Sequence, residues 1–112
     1  MKLYRIFIPK TYNDGKSVED KKIREITNQL RDQFGGYTAN PNARLPILEG
    51  GWVDEKHNKS YNENVICVEL FCQDTYDSCK WLKSFTEMTR QTLKQDSLFV
   101  IVQNAEIITN TP

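Results

Sequence analysis

The chain has 112 residues, and its 15 Lys and Arg residues balance its 15 Asp and Glu residues, so the formal net charge is +0. This length is typical of one domain, and we expect a single domain over residues 1–112 in which 107–112 form a frayed tail. A neutral domain lacks the positive surface that binds phosphate backbones, which argues against nucleic-acid binding. No apolar run approaches the ~18 residues of a membrane-spanning helix, so we expect no membrane partner.

The cysteine content indicates the compartment. The chain has three cysteines, Cys67, Cys72 and Cys79, and a single histidine, His57. An odd number of cysteines argues against the disulfide framework of a secreted protein, and their spacing matches no zinc-binding pattern. We therefore expect reduced thiols that pack as small apolar side chains, a cytoplasmic location, no metal site and no cofactor.

The N-terminal part of the chain predicts a strand followed by a helix. Lys2–Pro9 is rich in aromatic and β-branched residues, which is typical of a strand. After a turn at residues 13–15, Ser17 stands where a helix N-cap is expected, and Gly35 with Gly36 ends the helix. The apolar residues of this helix recur at helical spacing, at Ile23, Ile26, Leu30 and Phe34.

The second strand has the weakest signal. Residues 37–39 can begin it, Pro41 and Pro46 interrupt it, and residues 45–53 resume it, so its register stays open. Residues 54–60 are polar and predict the tip of a hairpin.

The C-terminal half predicts strand, helix and strand. Asn64–Cys72 is a nearly continuous apolar run, which favours a central strand with both faces covered. Asp74 or Thr75 then caps a second helix, and residues 98–102 form the last strand. The resulting β-α-β-β-α-β order predicts an α+β fold: a ferredoxin-like sandwich with a four-stranded antiparallel sheet and two helices on one face.

Side-chain alternation in the strands separates two faces of this sheet. In the third strand the uncharged set Ile66, Val68, Leu70 and Cys72 is expected beneath the helices, with the alternate set facing away. The residues predicted to form the other, open face are Leu3, Arg5, Phe7, Cys67, Glu69, Phe71, Phe99 and Ile101. Such an apolar area is large for an exposed surface, so something should cover it.

Three covers for the open face are considered. We favour a second copy of the chain, giving a homodimer; the alternatives are residues 37–53 folding back with Trp52, or a small-molecule ligand. Arg5 and Glu69 are the charged exceptions, and because the first and third strands are neighbours, the two side chains are expected to meet as an ion pair.

Two short motifs support a family resemblance. The segment Phe34-Gly35-Gly36-Tyr37-Thr38 and the later Gly51-Trp52 step resemble small uncharacterised bacterial proteins that carry an FGG-x-T segment and a GW motif. The resemblance implies a ferredoxin-like single domain and transfers no catalytic residue.

Two functions from different classes are considered. The favoured prediction is a non-enzymatic binding or regulatory domain that homodimerises through the open face. The alternative is a small dimeric α+β-barrel enzyme acting on a small molecule between two sheets, with Arg5, Glu69, His57 and Tyr61 as its polar groups. An accessory protein of a mobile element is a third reading, without support from particular residues.

Overall fold

The computed structural model describes residues 1–36, 38–39, 48–54, 59–108 and 110, and it describes side chains in 1–36, 65–108 and 110. The strands are β1 (Lys2–Pro9), β2 (Thr38–Ala39), β3 (Leu48–Asp54), β4 (Lys59–Cys72) and β5 (Val100–Asn104), and the helices are α1 (Asp20–Phe34) and α2 (Tyr76–Thr92). The protein has an α+β fold in which two helices pack on an antiparallel sheet. Neither helix of this described part has the length and apolar character needed to cross a membrane.

The sheet is organised around β1 and β4, which are antiparallel neighbours from Lys2 opposite Cys72 to Pro9 opposite Val65. β5 pairs with the other edge of β1. β2 and β3 both pair with β4, on the edge that β1 leaves free. The predicted second strand, which begins at 37–39 and resumes after an interruption, corresponds to the two described strands β2 and β3; residues 40–47 between them lie outside the described part.

The hydrophobic core lies between the sheet and the two helices. From β1 and β4 it contains Tyr4, Ile6, Ile8, Ile66, Val68, Leu70 and Cys72, and of these Ile6 and Val68 are both 0% exposed. Ile26 and Leu30 of α1 and the α2 residues Leu82 and Phe85 close it from the other side. The predicted division of strand residues between the two faces is confirmed, because Val68 is in the core and Glu69 is not.

The two helices begin differently. Ser17 does not cap α1: its backbone forms an isolated β-bridge with Thr11, and the N-cap is Glu19, whose side chain makes no capping hydrogen bond. α2 is capped as predicted by Thr75, whose hydroxyl oxygen accepts a hydrogen bond from the backbone N–H of Ser78 at 3.1 Å. The helix N-cap prediction is thus wrong for α1 and confirmed for α2.

The last strand is shifted towards the C-terminus. β5 covers residues 100–104 instead of the predicted 98–102. Leu98 and Val100 pack against the core, but Val102, which projects to the same side of β5 as Val100, is 48% exposed. α2 therefore leaves the helix-side face of β5 partly uncovered, and this gap is the floor of a groove.

Candidate functional site

The open sheet face is the surface of the sheet that points away from the helices. Arg5 lies opposite Glu69 on β4 and opposite Ile101 on β5, and the backbone N–H of Phe7 donates to the carbonyl of Phe99 at 3.1 Å. Residues that face each other across an antiparallel pair project to the same side. The described side chains of this face include Leu3, Arg5, Phe7, Cys67, Glu69, Phe71, Phe99, Ile101 and Gln103.

Most of this open sheet face is apolar and accessible. Phe71 and Ile101 are exposed, and Phe99 is 62% exposed. Leu3 was predicted to contribute exposed area here, but only 7% of it is accessible, so it adds little to the surface. The exposed aromatic and aliphatic side chains on both flanks of Arg5 and Glu69 make this face a candidate binding surface.

Arg5 and Glu69 form the predicted ion pair at the centre of the face. The Nε atom of Arg5 is 3.7 Å from Oε1 of Glu69, and the Nη1 atom of Arg5 also donates a hydrogen bond to the side chain of Gln103. The two charged side chains are 36% and 39% exposed. Burial raises the pKa of the neighbouring Cys67 thiol, and the charge of Glu69 raises it further. The site therefore presents one anionic and one cationic group among apolar side chains.

The other predicted site residues are not brought to this centre. Trp52 of β3 and Tyr61 of β4 are backbone partners, and their side chains lie outside the described part. Positions 61 and 69 of β4 are separated by ~26 Å at the usual rise of a strand, so one chain does not place Tyr61 beside Glu69. His57 lies outside the described residues.

A second concave surface, the α2 groove, lies between α2 and the strands β1 and β5. Its cavity volume is about 390 Å³. Its lining includes Lys2, Tyr4, Asp74, Leu82, Val100 and Val102. Nζ of Lys2 lies 3.9 Å from a carboxylate oxygen of Asp74 and donates a hydrogen bond to Asn104 at 2.6 Å.

No local sequence pattern predicts this groove. Its charged rim joins Lys2 of β1 to Asp74, which precedes α2, and its floor includes Val102, which is left 48% exposed. The alternation of side chains in β5 predicts that Val102 points to the helix side of the sheet. It does not predict that the helices leave Val102 uncovered. Among the described residues, no group of three His, Cys, Asp or Glu side chains is arranged to hold a metal ion.

Comparison with known proteins identifies solved structures of similar fold. A phage SAM lyase in complex with S-methyl-5′-thioadenosine aligns with a TM-score of 0.67 and 16% sequence identity, over 91% of this chain and 79% of that chain. A phage SAM lyase in the apo state aligns with a TM-score of 0.63 and 16% identity, over 91% and 78% of the two chains. No protein-family model matches the chain, and no curated protein matches it.

These structures overturn one prediction. The favoured function was a non-enzymatic binding or regulatory domain, but both neighbours are lyases. At 16% identity the likeness shows a shared fold, and one fold can carry several chemistries. The alternative reading, a small enzyme acting on a small molecule, accordingly becomes the proposal.

Proposed function

We propose that this protein is a lyase that cleaves a carbon–sulfur bond of S-adenosylmethionine and releases S-methyl-5′-thioadenosine. The observation that carries the proposal is the agreement of 91% of the chain with a SAM lyase at a TM-score of 0.67. In the same proposal the fold is a ferredoxin-like sandwich whose second strand is interrupted, since β2 and β3 run in one direction along one edge of β4.

The proposed reaction breaks the bond between the sulfonium sulfur and Cγ of the amino-acid chain. Both electrons of that bond go to sulfur, which becomes the neutral thioether of S-methyl-5′-thioadenosine. The four-carbon remnant leaves as a lactone if its own carboxylate oxygen forms the new bond to Cγ, or as an unsaturated amino acid if a base removes a proton from Cβ. Both routes remove the sulfonium charge, so an apolar surrounding favours the transition state over the charged substrate.

The open sheet face offers groups complementary to this substrate. Glu69 is the proposed partner of the substrate ammonium charge, and Arg5, 3.7 Å away, is the proposed partner of the substrate carboxylate. The exposed ring of Phe71 is suited to stack on adenine. These groups bind and orient the substrate, and in the elimination route Glu69 is also the candidate base.

An exposed sheet does not exclude water, so the site needs a cover. We propose that a second copy of the chain packs on the open sheet face and encloses the substrate between two sheets. The exposed side chains of Phe71, Phe99 and Ile101 supply the apolar contact for this association.

A cytoplasmic location is part of the proposal. It is supported by Cys67, Cys72 and Cys79, which are all free thiols. Such thiols persist in a reducing compartment.

The α2 groove is the competing location for the substrate. Its volume of about 390 Å³ is within the usual range for small-molecule sites. However, its carboxylate, Asp74, is 62% exposed and stands at the rim. A charge in open water interacts with a bound cation less strongly than the half-buried Glu69. The geometry therefore favours the open sheet face.

The test is the formation of S-methyl-5′-thioadenosine from S-adenosylmethionine, followed by liquid chromatography and mass spectrometry. The native protein should form it well above the non-enzymatic rate, and Glu69→Gln should reduce the rate at least ~100-fold. Asp74→Asn tests the groove, and Glu25→Gln is the matched control on exposed α1 surface; both should retain activity. Product formation at the background rate would refute the proposed function. Loss of activity in Asp74→Asn alone would move the site to the α2 groove.

A further inference from the structure

A third cavity, the Tyr12 pocket, lies where the turn between β1 and α1 meets the end of α2. Its volume is about 400 Å³. The lining side chains that carry its chemistry are Tyr12, Asp14, Lys16, Glu19, Lys22 and Lys94. None of these residues belongs to the open sheet face or to the α2 groove, so the pocket is a separate site.

The turn that forms one wall is held by its own backbone. The N–H of Tyr12 donates to the carbonyl of Lys16 at 2.8 Å, and the N–H of Gly15 donates to the carbonyl of Tyr12 at 2.9 Å. Gly15 has a φ of 88°, which glycine adopts without strain. The carboxylate of Asp14 accepts a hydrogen bond from the backbone N–H of Lys16 at 2.9 Å, so its charge is partly satisfied within the turn.

The tyrosine hydroxyl is fixed between two charges. It donates to the carboxylate of Glu19 and accepts a hydrogen bond from Nζ of Lys22 at 2.9 Å. Nζ of Lys22 is also 3.7 Å from Glu19. The hydrogen bonds with Tyr12 lower the pKa of Glu19 and raise the pKa of Lys22, so both groups stay charged. Tyr12 is thus oriented before any ligand arrives.

Lys94 reaches the same ring from an unfavourable backbone conformation. Its φ is 53°, and among the described residues it is the only residue other than glycine with a positive φ. The N–H of Lys94 donates to the carbonyl of Gln91, and the N–H of Gln95 donates to that of Arg90, both at 3.1 Å. This pattern ends many helices and normally has glycine at the position of Lys94, because a Cβ is strained there.

The strained backbone at Lys94 is held against the turn by the next residue, Gln95, and the Lys94 side chain extends towards the Tyr12 ring. The side chain of Gln95 is 4% exposed and donates to the carbonyls of Leu93 at 3.0 Å and Thr11 at 3.4 Å. Nζ of Lys94 then stands 5.9 Å from the centre of the Tyr12 ring, and Nζ of Lys22 stands 5.3 Å from it. Backbone strain that places a charge in a cavity is typical of functional sites.

We infer that the Tyr12 pocket binds the phosphate chain of a small phosphorylated molecule such as a nucleoside polyphosphate. Lys16 and Lys94 supply two ammonium groups, and Lys22 supplies a third that it shares with Glu19 and the Tyr12 hydroxyl. Glu19 and Asp14 already accept hydrogen bonds from Tyr12 and from the backbone N–H of Lys16. The ring of Tyr12 holds the ammonium groups of Lys22 and Lys94 beside the cavity by cation–π contact. The net charge of +0 for the whole chain favours a small ligand over a polynucleotide. This inference does not rest on the proposed lyase activity, whose substrate carries a fixed positive charge that the lysines would repel.

The experiment titrates the protein with inorganic triphosphate and with ATP by isothermal calorimetry at low salt. Both should bind, and their affinities should fall as the salt concentration rises. Lys94→Gly and Lys94→Ala should weaken triphosphate binding at least ~10-fold, since each removes a full charge from the site. Lys94→Arg should retain affinity within ~3-fold, as should Lys80→Ala, a matched control on the exposed surface of α2.

Stability measurements separate a ligand-binding lysine from a structural one. Glycine relieves the strained backbone, so the melting temperature of Lys94→Gly should be unchanged or up to ~5 °C higher while its binding is lost. If Lys94→Gly instead lowers the melting temperature, its weaker binding no longer distinguishes a ligand-binding lysine from a structural one. Lys16→Ala in the turn is then the deciding variant, and it should still weaken triphosphate binding. Unchanged affinity in both variants, or no triphosphate binding at millimolar concentration, would overturn the inference. Tighter binding of a single-stranded oligonucleotide than of ATP would overturn the assignment to a small ligand.

Discussion

Arg5 and Glu69 stand directly opposite each other on β1 and β4, with Nε and Oε1 3.7 Å apart on the face of the sheet that the helices leave open. Both side chains are more than one-third exposed in the single chain. Water therefore screens their attraction, and the pair alone contributes little to stability. If a substrate or a second copy covers the face, the same two charges lose that screening and their interaction strengthens.

The first prediction concerns the strength of this pair. A double-mutant cycle with Arg5→Ala and Glu69→Ala should give a coupling energy of ~0.2–1 kcal/mol in the isolated chain, as for other exposed pairs. Urea unfolding at a protein concentration low enough to give a monomer measures it. The exposed i,i+3 pair of Glu87 and Arg90, at 2.6 Å, is the comparison. A coupling above ~2 kcal/mol at low concentration would mean that this chain itself shields the Arg5–Glu69 pair.

The second prediction concerns the start of α2. Thr75→Ala removes the acceptor for the N–H of Ser78 and should lower the free energy of unfolding by ~1 kcal/mol. Thr75→Ser keeps a hydroxyl acceptor and should retain most of the stability of the native protein. Thermal unfolding of the three proteins measures the difference. Glu19→Ala is the contrasting N-cap variant of α1, where the side chain makes no capping bond. An equal loss in the alanine and serine variants would show that the hydroxyl of Thr75 does not cap the helix.

Local signals predicted most of the core but not the cavities. The alternation in β4 correctly placed Val68 beneath the helices, because an apolar run with one embedded charge leaves one choice of face. Ser17 was a reasonable N-cap by residue type, yet its bridge to Thr11 keeps it in the turn. That bridge joins two backbone segments, and residue preferences do not encode it.

The Tyr12 pocket has a sequence signal that was overlooked. Its three lysines stand at positions 16, 22 and 94, so no short window shows them together. The absence of glycine after α2 is nevertheless visible in the sequence, since Leu93-Lys94-Gln95 follows Thr92, the last residue of the helix. A helix that ends on a lysine in the left-handed conformation is unusual enough to prompt a search for what that lysine contacts.

The third prediction is a loss of stability in mild alkali. Burial raises the pKa of the Cys72 thiol above its ordinary value of 9.0 and that of the Tyr4 hydroxyl above 10.0. The folded state therefore holds these protons more tightly than the unfolded state. Their contribution to the free energy of unfolding is complete below pH 9.0. It is lost as the pH rises through the higher pKa values of the two groups in the folded state.

Urea unfolding between about pH 8 and pH 10.5 checks this dependence, and the free energy of unfolding should fall across that interval. Cys72→Val removes one of the titrating groups and should flatten the decline. A free energy that stays constant or rises over the same range would contradict the burial of these two groups.

The fourth prediction is self-association through the open sheet face. Ile101 lies on the edge strand β5, and Phe99, which is 62% exposed, directly precedes that strand; together they leave a large apolar surface in contact with water. Phe99→Asp should shift the protein towards the monomer in light scattering, since a carboxylate buried against a second sheet is strongly disfavoured. Met88→Asp is the control, because Met88 is also exposed but lies on α2, on the other side of the sheet.

Association and activity can then be read together. If a second copy encloses the substrate, lyase activity in the Phe99→Asp variant should fall in step with the oligomer fraction and recover at higher protein concentration. The Met88→Asp variant should match the native protein in both measurements. A native protein that is a stable monomer at micromolar concentration yet fully active would show that one chain encloses its own substrate. The covering role would then pass from a second copy to the chain itself, while Arg5 and Glu69 would keep their proposed contacts with the substrate.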